Sequence, residues 1–439
     1  MNPDLQTDFS PSINKAFAEQ EGWSGSANVI KGFFARWVLK KMPFDKLEAG
    51  VLHISYAGIN RHLKGKKTGC QADLQLLKPM RFLWLLSTQG ELGFVTAYAE
   101  KVIETPSLYN LLLLGKQNET LLRQTLKPKN GFMRRLQKRH ESRHNSVENS
   151  KRNIAAHYDL GNDFYRLWLD ESMTYSSGLF SHAETDEKAS LLKTQERKYQ
   201  RLLDKLDSRP GEHILEIGCG WGGFAELAAK QQRNVTGITL SKAQHDYACE
   251  RLANAGLSQQ AMIRLIDYRH MQGQFNHIVS IEMFEAVGKE YWQAYFTQLN
   301  KLLKPGGRAA LQIITIDEAY ADSYQNSVDF IQAYIFPGGL LPSPTQIRTL
   351  AENHDLDLID EFSFGQDYAK TLHQWLQNFE SHHKKLLDMG YDESFQRIWR
   401  YYLDYCRVGF DTEQINVYQF VLEKPKKHSI NSIQNLNQR

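Results

Sequence analysis

The residues Glu216-Ile217-Gly218-Cys219-Gly220-Trp221-Gly222-Gly223 place four glycines within six positions, directly after the apolar run His213–Ile217. Glycines at a strand-to-helix turn let a ligand approach the backbone closely. Dinucleotide-binding enzymes use a similar loop, so the glycines alone leave the ligand open. Three neighbouring features narrow it. Glu216 stands just before the first glycine. Thr239, Ser241 and Gln244 fall at the next strand–helix junction, on the edge of the sheet where ligands bind in open α/β folds. Asp267-Tyr268 closes a third strand and suits an adenine edge.

The elements that must carry these residues alternate. His213–Ile217, Asn234–Leu240, Met262–Ile266, His277–Ile281 and Arg308–Ile316 read as strands. Gly222–Lys230, Lys242–Ala255 and Tyr291–Leu303 read as helices, the last followed by the turn Lys304-Pro305-Gly306-Gly307. That rhythm predicts an α/β, doubly wound parallel sheet. Residues 1–125 read as a smaller α+β domain. There Val51–Tyr56, Asp73–Leu77 and Phe82–Leu86 are strand candidates, and Glu91–Val102 and Ser107–Leu114 are helices. Val29–Met42 sets Ile30, Phe33, Phe34, Trp37 and Val38 at helical spacing with lysines and an arginine between them. Such a helix either packs on its own domain or lies in a membrane interface.

Between the two parts, 126–153 is a basic linker. Its core, Lys127–Arg152, holds nine Lys and Arg against two Glu. It is either a plain connector or a patch drawn to an anionic surface, where each cation contributes about 1 kcal/mol. No aromatic interleaving supports nucleic acid. The second domain is expected over 154–425, with a polar tail at 426–439. Across 439 residues, 41% are hydrophobic, 23% are charged and the net charge is +3, a globular balance that excludes wholesale disorder. No apolar run approaches the ~20 residues of a transmembrane helix, and the opening MNPDLQTDFSPS lacks a secretory signal's apolar stretch. The four cysteines, Cys70, Cys219, Cys249 and Cys406, form no CxxC pair, which argues against a disulfide framework or a zinc site. A reducing, cytoplasmic setting is the expectation.

Further motifs surround the glycine loop: His157-Tyr158-Asp159-Leu160-Gly161-Asn162-Asp163-Phe164-Tyr165, Met173-Thr174-Tyr175-Ser176-Ser177, Phe284-Glu285-Ala286-Val287-Gly288, Tyr334-Ile335-Phe336-Pro337-Gly338-Gly339 and Phe364-Gly365-Gln366-Asp367-Tyr368. The glycine loop resembles that of class I S-adenosylmethionine-dependent methyltransferases. With the other motifs, in order over about residues 150–425, the chain resembles the cyclopropane-fatty-acyl-phospholipid synthases and their mycolic-acid relatives. The first domain is similar, less sharply, to the lipid-engaging domain of the phospholipid-acting members.

The resemblance implies a Rossmann-like methyltransferase domain and transfer of a methyl from S-adenosylmethionine to the double bond of an unsaturated acyl chain in a membrane phospholipid. It also implies work at the inner membrane face, and dimers. An alkene is a weak nucleophile, so the protein must supply proximity and an apolar pocket that tolerates a carbocation. Carried over by motif, the cofactor shell is Tyr175, Ser176, Gly218, Gly220, Thr239, Gln244, Asp267 and Tyr268. The catalytic shell is Glu285, the backbone of Ile314, and Tyr368, with bicarbonate as the base. This chain departs from the pattern in four places. Thr239 replaces the acidic ribose partner, Ser177 a cysteine, and Gln312 and Ala286 two histidines. Gln312 can donate an amide hydrogen bond but cannot be a cation or shuttle a proton. Ring closure to a cyclopropane is the expected product, with a methyl-branched or methylene chain as one alternative and a catalytically silent lipid-binding protein as the other. Glu285 could instead cap its turn, and Tyr368 could be an ordinary core tyrosine. Glu282 is either a cofactor-side or a structural carboxylate. His157 reads as a packed histidine. Trp399-Arg400-Tyr401-Tyr402 with Tyr405 is either helix packing or an acyl-channel wall.

Overall fold

The computed structural model describes residues 47–125, 160–181 and 190–426, together with Lys40. The helix expected over Val29–Met42 (Lys40 apart), the basic core Lys127–Arg152, the residues His157-Tyr158-Asp159 and the tail 427–439 lie outside the described residues. The chain divides into two compact units. One holds 47–125 with Ser327–Pro337 and Leu372–Thr412, and the other holds 160–181, 190–326, Gly338–Thr371 and 413–426.

The first unit is built on a four-stranded sheet of order β2-β1-β3-β4, formed by β1 (Ala49–Tyr56), β2 (Ile59–Lys64), β3 (Lys67–Leu76) and β4 (Ile103–Glu104). Leu52 and Ile54 point inward from β1, as its alternation requires. Ala57 and Gly58, both at positive φ, make the tight turn into β2. Phe82–Leu86, expected as a strand, lies instead in the helix Pro79–Gln89. Pro79 occupies its first turn, where no amide partner is needed, and Phe82, Leu85 and Leu86 share its buried face. Each such burial contributes about 1.5–3 kcal/mol. Ser107 caps the helix Leu108–Gln117, its side chain accepting from the Asn110 amide. In the helix Glu393–Asp411, Trp399, Tyr401 and Tyr402 are buried. Tyr401 packs on Phe94, Tyr98 and Phe330, so its ring belongs to the packing of this unit.

The second unit contains a seven-stranded sheet of order β10-β11-β9-β8-β5-β6-β7. Its strands are β5 (His213–Ile217), β6 (Asn234–Thr239), β7 (Ala261–Leu265), β8 (Phe275–Ile281), β9 (Leu303–Ile316), β10 (Asp357–Ser363) and β11 (Ile415–Glu423). From β9 to β7 neighbouring strands run parallel, as the βα rhythm predicts. β11 then runs antiparallel to both β9 and β10, so the sheet is parallel-rich rather than wholly parallel. Alternate residues of β5, β8, β9 and β11 fill two cores, one on each face. Leu215, Ile278, Leu311 and Phe420 meet the helix Trp292–Leu302. Ile214, Val279, Ala310 and Val421 meet the helices Leu191–Lys205, Gly223–Lys230 and Lys242–Asn254. The strand order reverses between β5 and β8, and such a switch point opens a crevice at the carboxyl ends of the strands. Among the described residues, no helix is long and apolar enough to cross a membrane.

Candidate functional site

The glycine loop leaves β5 at this switch point. Gly218, Gly220 and Gly222 all take positive φ, a region that other residues enter only with strain. Packing explains two of them. A Cβ on Gly218 would sit 2.8 Å from the Met283 side chain, and one on Gly222 would sit 3.0 Å from Ala248. Gly220 differs: a Cβ there would meet no heavy atom within 4 Å. Its backbone faces open space, the cradle a close-lying ligand needs.

An aromatic group flanks the loop. The Tyr165 ring lies 5.0 Å from that of Trp221 and 5.5 Å from that of Tyr175, and Trp168 packs edge-on to Tyr175. Trp221 Nε1 donates to Asn162 Oδ1 at 2.8 Å. Tyr175 is thus brought to the loop. Next to it, Ser176 Oγ accepts from Lys198 Nζ and the Ser176 carbonyl accepts from Gln195. At the end of β6, Thr239, Ser241 and Gln244 form one buried capping cluster. Thr239 Oγ1 donates to Gln244 Oε1, and the Ser241 amide donates to Thr239 Oγ1. Beyond β7, Asp267 accepts from the Arg269 amide and guanidinium at 2.7–2.9 Å. The Tyr268 ring turns into the core against Tyr295. Asp267 and Tyr268 therefore stand at the expected strand end, with the first committed to an arginine and the second to packing.

The catalytic candidates converge on a residue left undecided between two roles by the sequence. Glu282, one residue past β8, has φ +48°. Its Oε1 accepts from the Ser177 amide at 2.9 Å and from Gln312 Nε2 at 2.7 Å, and its Oε2 accepts from Tyr368 Oη at 2.7 Å. A non-glycine residue in this backbone region costs on the order of 1–3 kcal/mol, held here by its surroundings. The Ser177 hydroxyl turns away and donates to the Gly178 carbonyl. Three residues on, Glu285 Oε1 accepts from the Ile314 amide, while its buried Oε2 has no hydrogen-bond partner.

The orientation of Gln312 is enforced from behind. Its Oε1 accepts from Gln419 Nε2, Gln419 Oε1 accepts from Arg201, and Arg201 pairs with Asp360. A guanidinium can only donate, so each amide in turn must present its nitrogen toward Glu282.

The electrostatics follow from burial. Glu282 and Glu285 keep part of their residue surface exposed, yet their carboxyl groups sit deep. Burial raises the Glu282 pKa, opposed by the Lys198 charge and by the bonds from Tyr368, Ser177 and Gln312. Burial carries Glu285 to about 8, with the charge of Glu282 adding to the rise. Glu216, on β5, is also pushed by burial to about 8. Lys198 is fully buried and pulled down to about 7 by desolvation, against the charges of Glu282, Asp170 and Glu216. Lys198 escaped the sequence reading. The available signal was its position among Leu191, Thr194, Gln195, Tyr199 and Leu202, on the buried stripe of its helix.

The loop and the carboxylates adjoin, because Met283, which Gly218 packs against, lies between Glu282 and Glu285. The arrangement can hold a ligand against open backbone at Gly220. Beside it stand one carboxylate bound by three donors and a second that is readily protonated.

Residues 145–420 match the family model described as mycolic acid cyclopropane synthetase. A tuberculostearic acid methyltransferase of Mycobacterium tuberculosis is 41% identical over 277 residues, 62% of this chain and 65% of that protein. The cyclopropane-fatty-acyl-phospholipid synthase of Escherichia coli is 37% identical over 269 residues, 61% of this chain and 66% of that one. The chain thus spans just under two thirds of the length of each of these two relatives. A crystal structure of a mycolic acid cyclopropane synthase complexed with SAH and CTAB aligns with a TM-score of 0.58 and 31% identity, covering 62% of this chain and 98% of that one. The motif order, the switch-point glycine loop and the family match agree: the chain belongs to the mycolic acid cyclopropane synthetase family.

Proposed function

We propose that the protein is an S-adenosylmethionine-dependent methyltransferase acting on the double bond of unsaturated lipid acyl chains, and that cyclopropane formation is its product. The observation that carries this reading is the contact between Gly218 and Met283, which sets the open cradle at Gly220 beside the Glu282–Glu285 pair. When bound, S-adenosylmethionine supplies an electrophilic methyl group. Gly218 and Gly220 would hold it by backbone approach, with Tyr175 and the Thr239–Gln244 cluster around it. The aromatic group of Tyr165, Trp168, Tyr175 and Trp221 offers π-faces that suit a cationic centre. Names of relatives support a lipid acyl substrate: one is a cyclopropane-fatty-acyl-phospholipid synthase and another a tuberculostearic acid methyltransferase.

A second reading, methyl or methylene branching without ring closure, is favoured by Gln312 and Ala286. Neither side chain can take or pass a proton as an imidazole would. Membrane phospholipid as the substrate, at the cytoplasmic face, is supported by the basic stretch Lys127–Arg152. It is also supported by Leu77, Met80 and Trp84, which the first unit leaves exposed.

Vesicles of monounsaturated phospholipid, incubated with the protein and methyl-labelled S-adenosylmethionine, test the proposal by mass spectrometry of the released fatty acids. A gain of one CH₂ without a surviving double bond establishes ring closure. The same gain with the double bond retained establishes branching. No gain, with cofactor still bound, refutes acyl methylation.

A further inference from the structure

Bicarbonate, implied as the base by the resemblance, does not fit the residues present. Of the donors that would hold it, the Ser177 amide, Gln312 Nε2 and Tyr368 Oη all end on Glu282, and the Ile314 amide ends on Glu285. A further anion would meet the Glu282 carboxylate with those donors already engaged. Only the enclosed Oε2 of a protonated Glu285 is left to offer it a hydrogen bond, so it would lose its hydration with little compensation.

We infer that the side chain of Glu282 is the resident proton acceptor for the methylated acyl chain and makes an external bicarbonate unnecessary. The inference rests on the acyl-methylation reading above. A carboxylate offers about four lone-pair sites. Three are taken here, so one remains to receive a proton. The donors come from three separate segments: the loop at Ser177, strand β9 at Gln312, and the first turn of the helix Gly365–Ser381 at Tyr368. Gln312 is further locked through Gln419 and Arg201. The acceptor is therefore positioned before any substrate arrives, the condition for effective acid–base catalysis. Glu285 suits the role less well. Ile314 alone orients it, and burial beside Glu282 keeps it protonated up to about pH 8.

The step balances as follows. After methyl transfer, the acyl carbon next to the new C–CH₃ bond is cationic. A C–H bond of that methyl breaks, its electron pair closes the three-membered ring, and its proton goes to a Glu282 oxygen. Loss from a chain carbon places the pair in a C=C bond instead and delivers the proton to the same acceptor.

The test measures vesicle methylation in buffer stripped of carbon dioxide and again with added bicarbonate, with cofactor affinity followed by calorimetry. The wild-type protein is expected to run at the same rate in both. Glu282→Gln is expected to lose at least about 100-fold in methylation, as removal of a general base does, with cofactor affinity within about twofold. Glu282→Gly, which suits the φ of +48° and vacates the carboxylate, is expected to be inactive in stripped buffer and to recover with bicarbonate or formate. A wild-type protein that depends on bicarbonate, or a Glu282→Gln variant that keeps its rate, overturns the inference. The wild-type comparison holds even if neither variant folds. A wild-type protein that binds cofactor and methylates no acyl chain overturns the underlying reading, and this inference with it.

Discussion

Tyr368 Oη donates to Glu282 Oε2 across 2.7 Å, on the oxygen opposite the one that Ser177 and Gln312 share. The phenol therefore decides which face of the carboxylate stays available. A hydrogen bond to a charged group is worth about 1.5–3 kcal/mol. Tyr368→Phe is expected to slow methyl transfer roughly 10- to 100-fold with cofactor affinity unchanged. Full activity in both this variant and Glu285→Ala would remove the catalytic cluster from consideration.

The lock behind Gln312 predicts an effect from a residue that sits one amide removed from Glu282. Gln419→Leu leaves Gln312 Oε1 buried without a donor, a cost of about 1–3 kcal/mol. It also frees the Gln312 amide to turn. The variant is expected to melt several degrees lower and to lose methylation about tenfold. A variant that melts lower at an unchanged rate would make the lock purely structural.

The two kinds of glycine in the loop separate cofactor binding from folding. Gly220→Val adds a side chain into open space at φ +50°. It is expected to fold, within about 1–3 kcal/mol of strain, and to lose cofactor binding by at least about 100-fold. Gly218→Ala drives a methyl group against Met283 and should show its loss in stability as well. Unchanged cofactor affinity in Gly220→Val would sink the cradle.

Glu285 predicts a pH dependence. Its carboxyl titrates near 4.5 in the unfolded chain and near 8 in the folded one. Between those values the folded state holds a proton that the unfolded state has released, so stability falls as pH rises through this window and levels off above it. The slope from one such group is at most about 1.4 kcal/mol per pH unit. Glu285→Gln should flatten denaturation midpoints measured between pH 5 and 8 by up to that amount, and an unchanged slope would contradict the burial argument. Glu216, shifted in the same direction, keeps part of the slope in the variant.

On the first unit, Trp84 and Met80 are nearly half exposed, one helical turn apart, with Leu77 close by in sequence. Trp84→Ser with Met80→Ser is expected to weaken association with anionic vesicles about tenfold, from the apolar area withheld from lipid. Charge reversal across Arg134–Arg143 should weaken it further, and more so at low salt. Binding that survives both changes would leave neither feature a role at a membrane.

Much of the second unit was legible because its strands are apolar runs separated by glycine turns. His213–Ile217 matches residue for residue, and most other boundaries move by one or two residues. But β9 starts at Leu303, so Lys304-Pro305-Gly306-Gly307, expected as a turn, lies inside that strand as an irregular stretch of its pairing with β8. Phe82–Leu86 misled because a short apolar run suits either a strand or a buried helix face; Pro79, three positions earlier, held the deciding signal. The antiparallel insertion of β11 and the packing of Leu372–Thr412 with the first unit depend on contacts distant in sequence, which local patterns do not encode. Within the site, Ser177, Gln312 and Tyr368 were singled out as separate departures or motif members. What joins them is the Glu282 carboxylate, whose orientation comes from a backbone angle that no composition displays.

The lock from Gln312 through Gln419 to Arg201 is made of two carboxamides and a guanidinium, none of which releases a proton in the range where proteins work. It holds geometry and conducts nothing. A proton delivered to Glu282 therefore cannot leave along this chain of amides. Among the titratable groups left beside it are Tyr368, which is hydrogen-bonded to Glu282, and the buried Lys198, whose charge acts on that carboxylate. On the function proposed above, slow loss of that proton would set the pace of repeated turnover. A solvent isotope effect should then appear in the steady state, while a single turnover, whose proton comes from carbon, shows none.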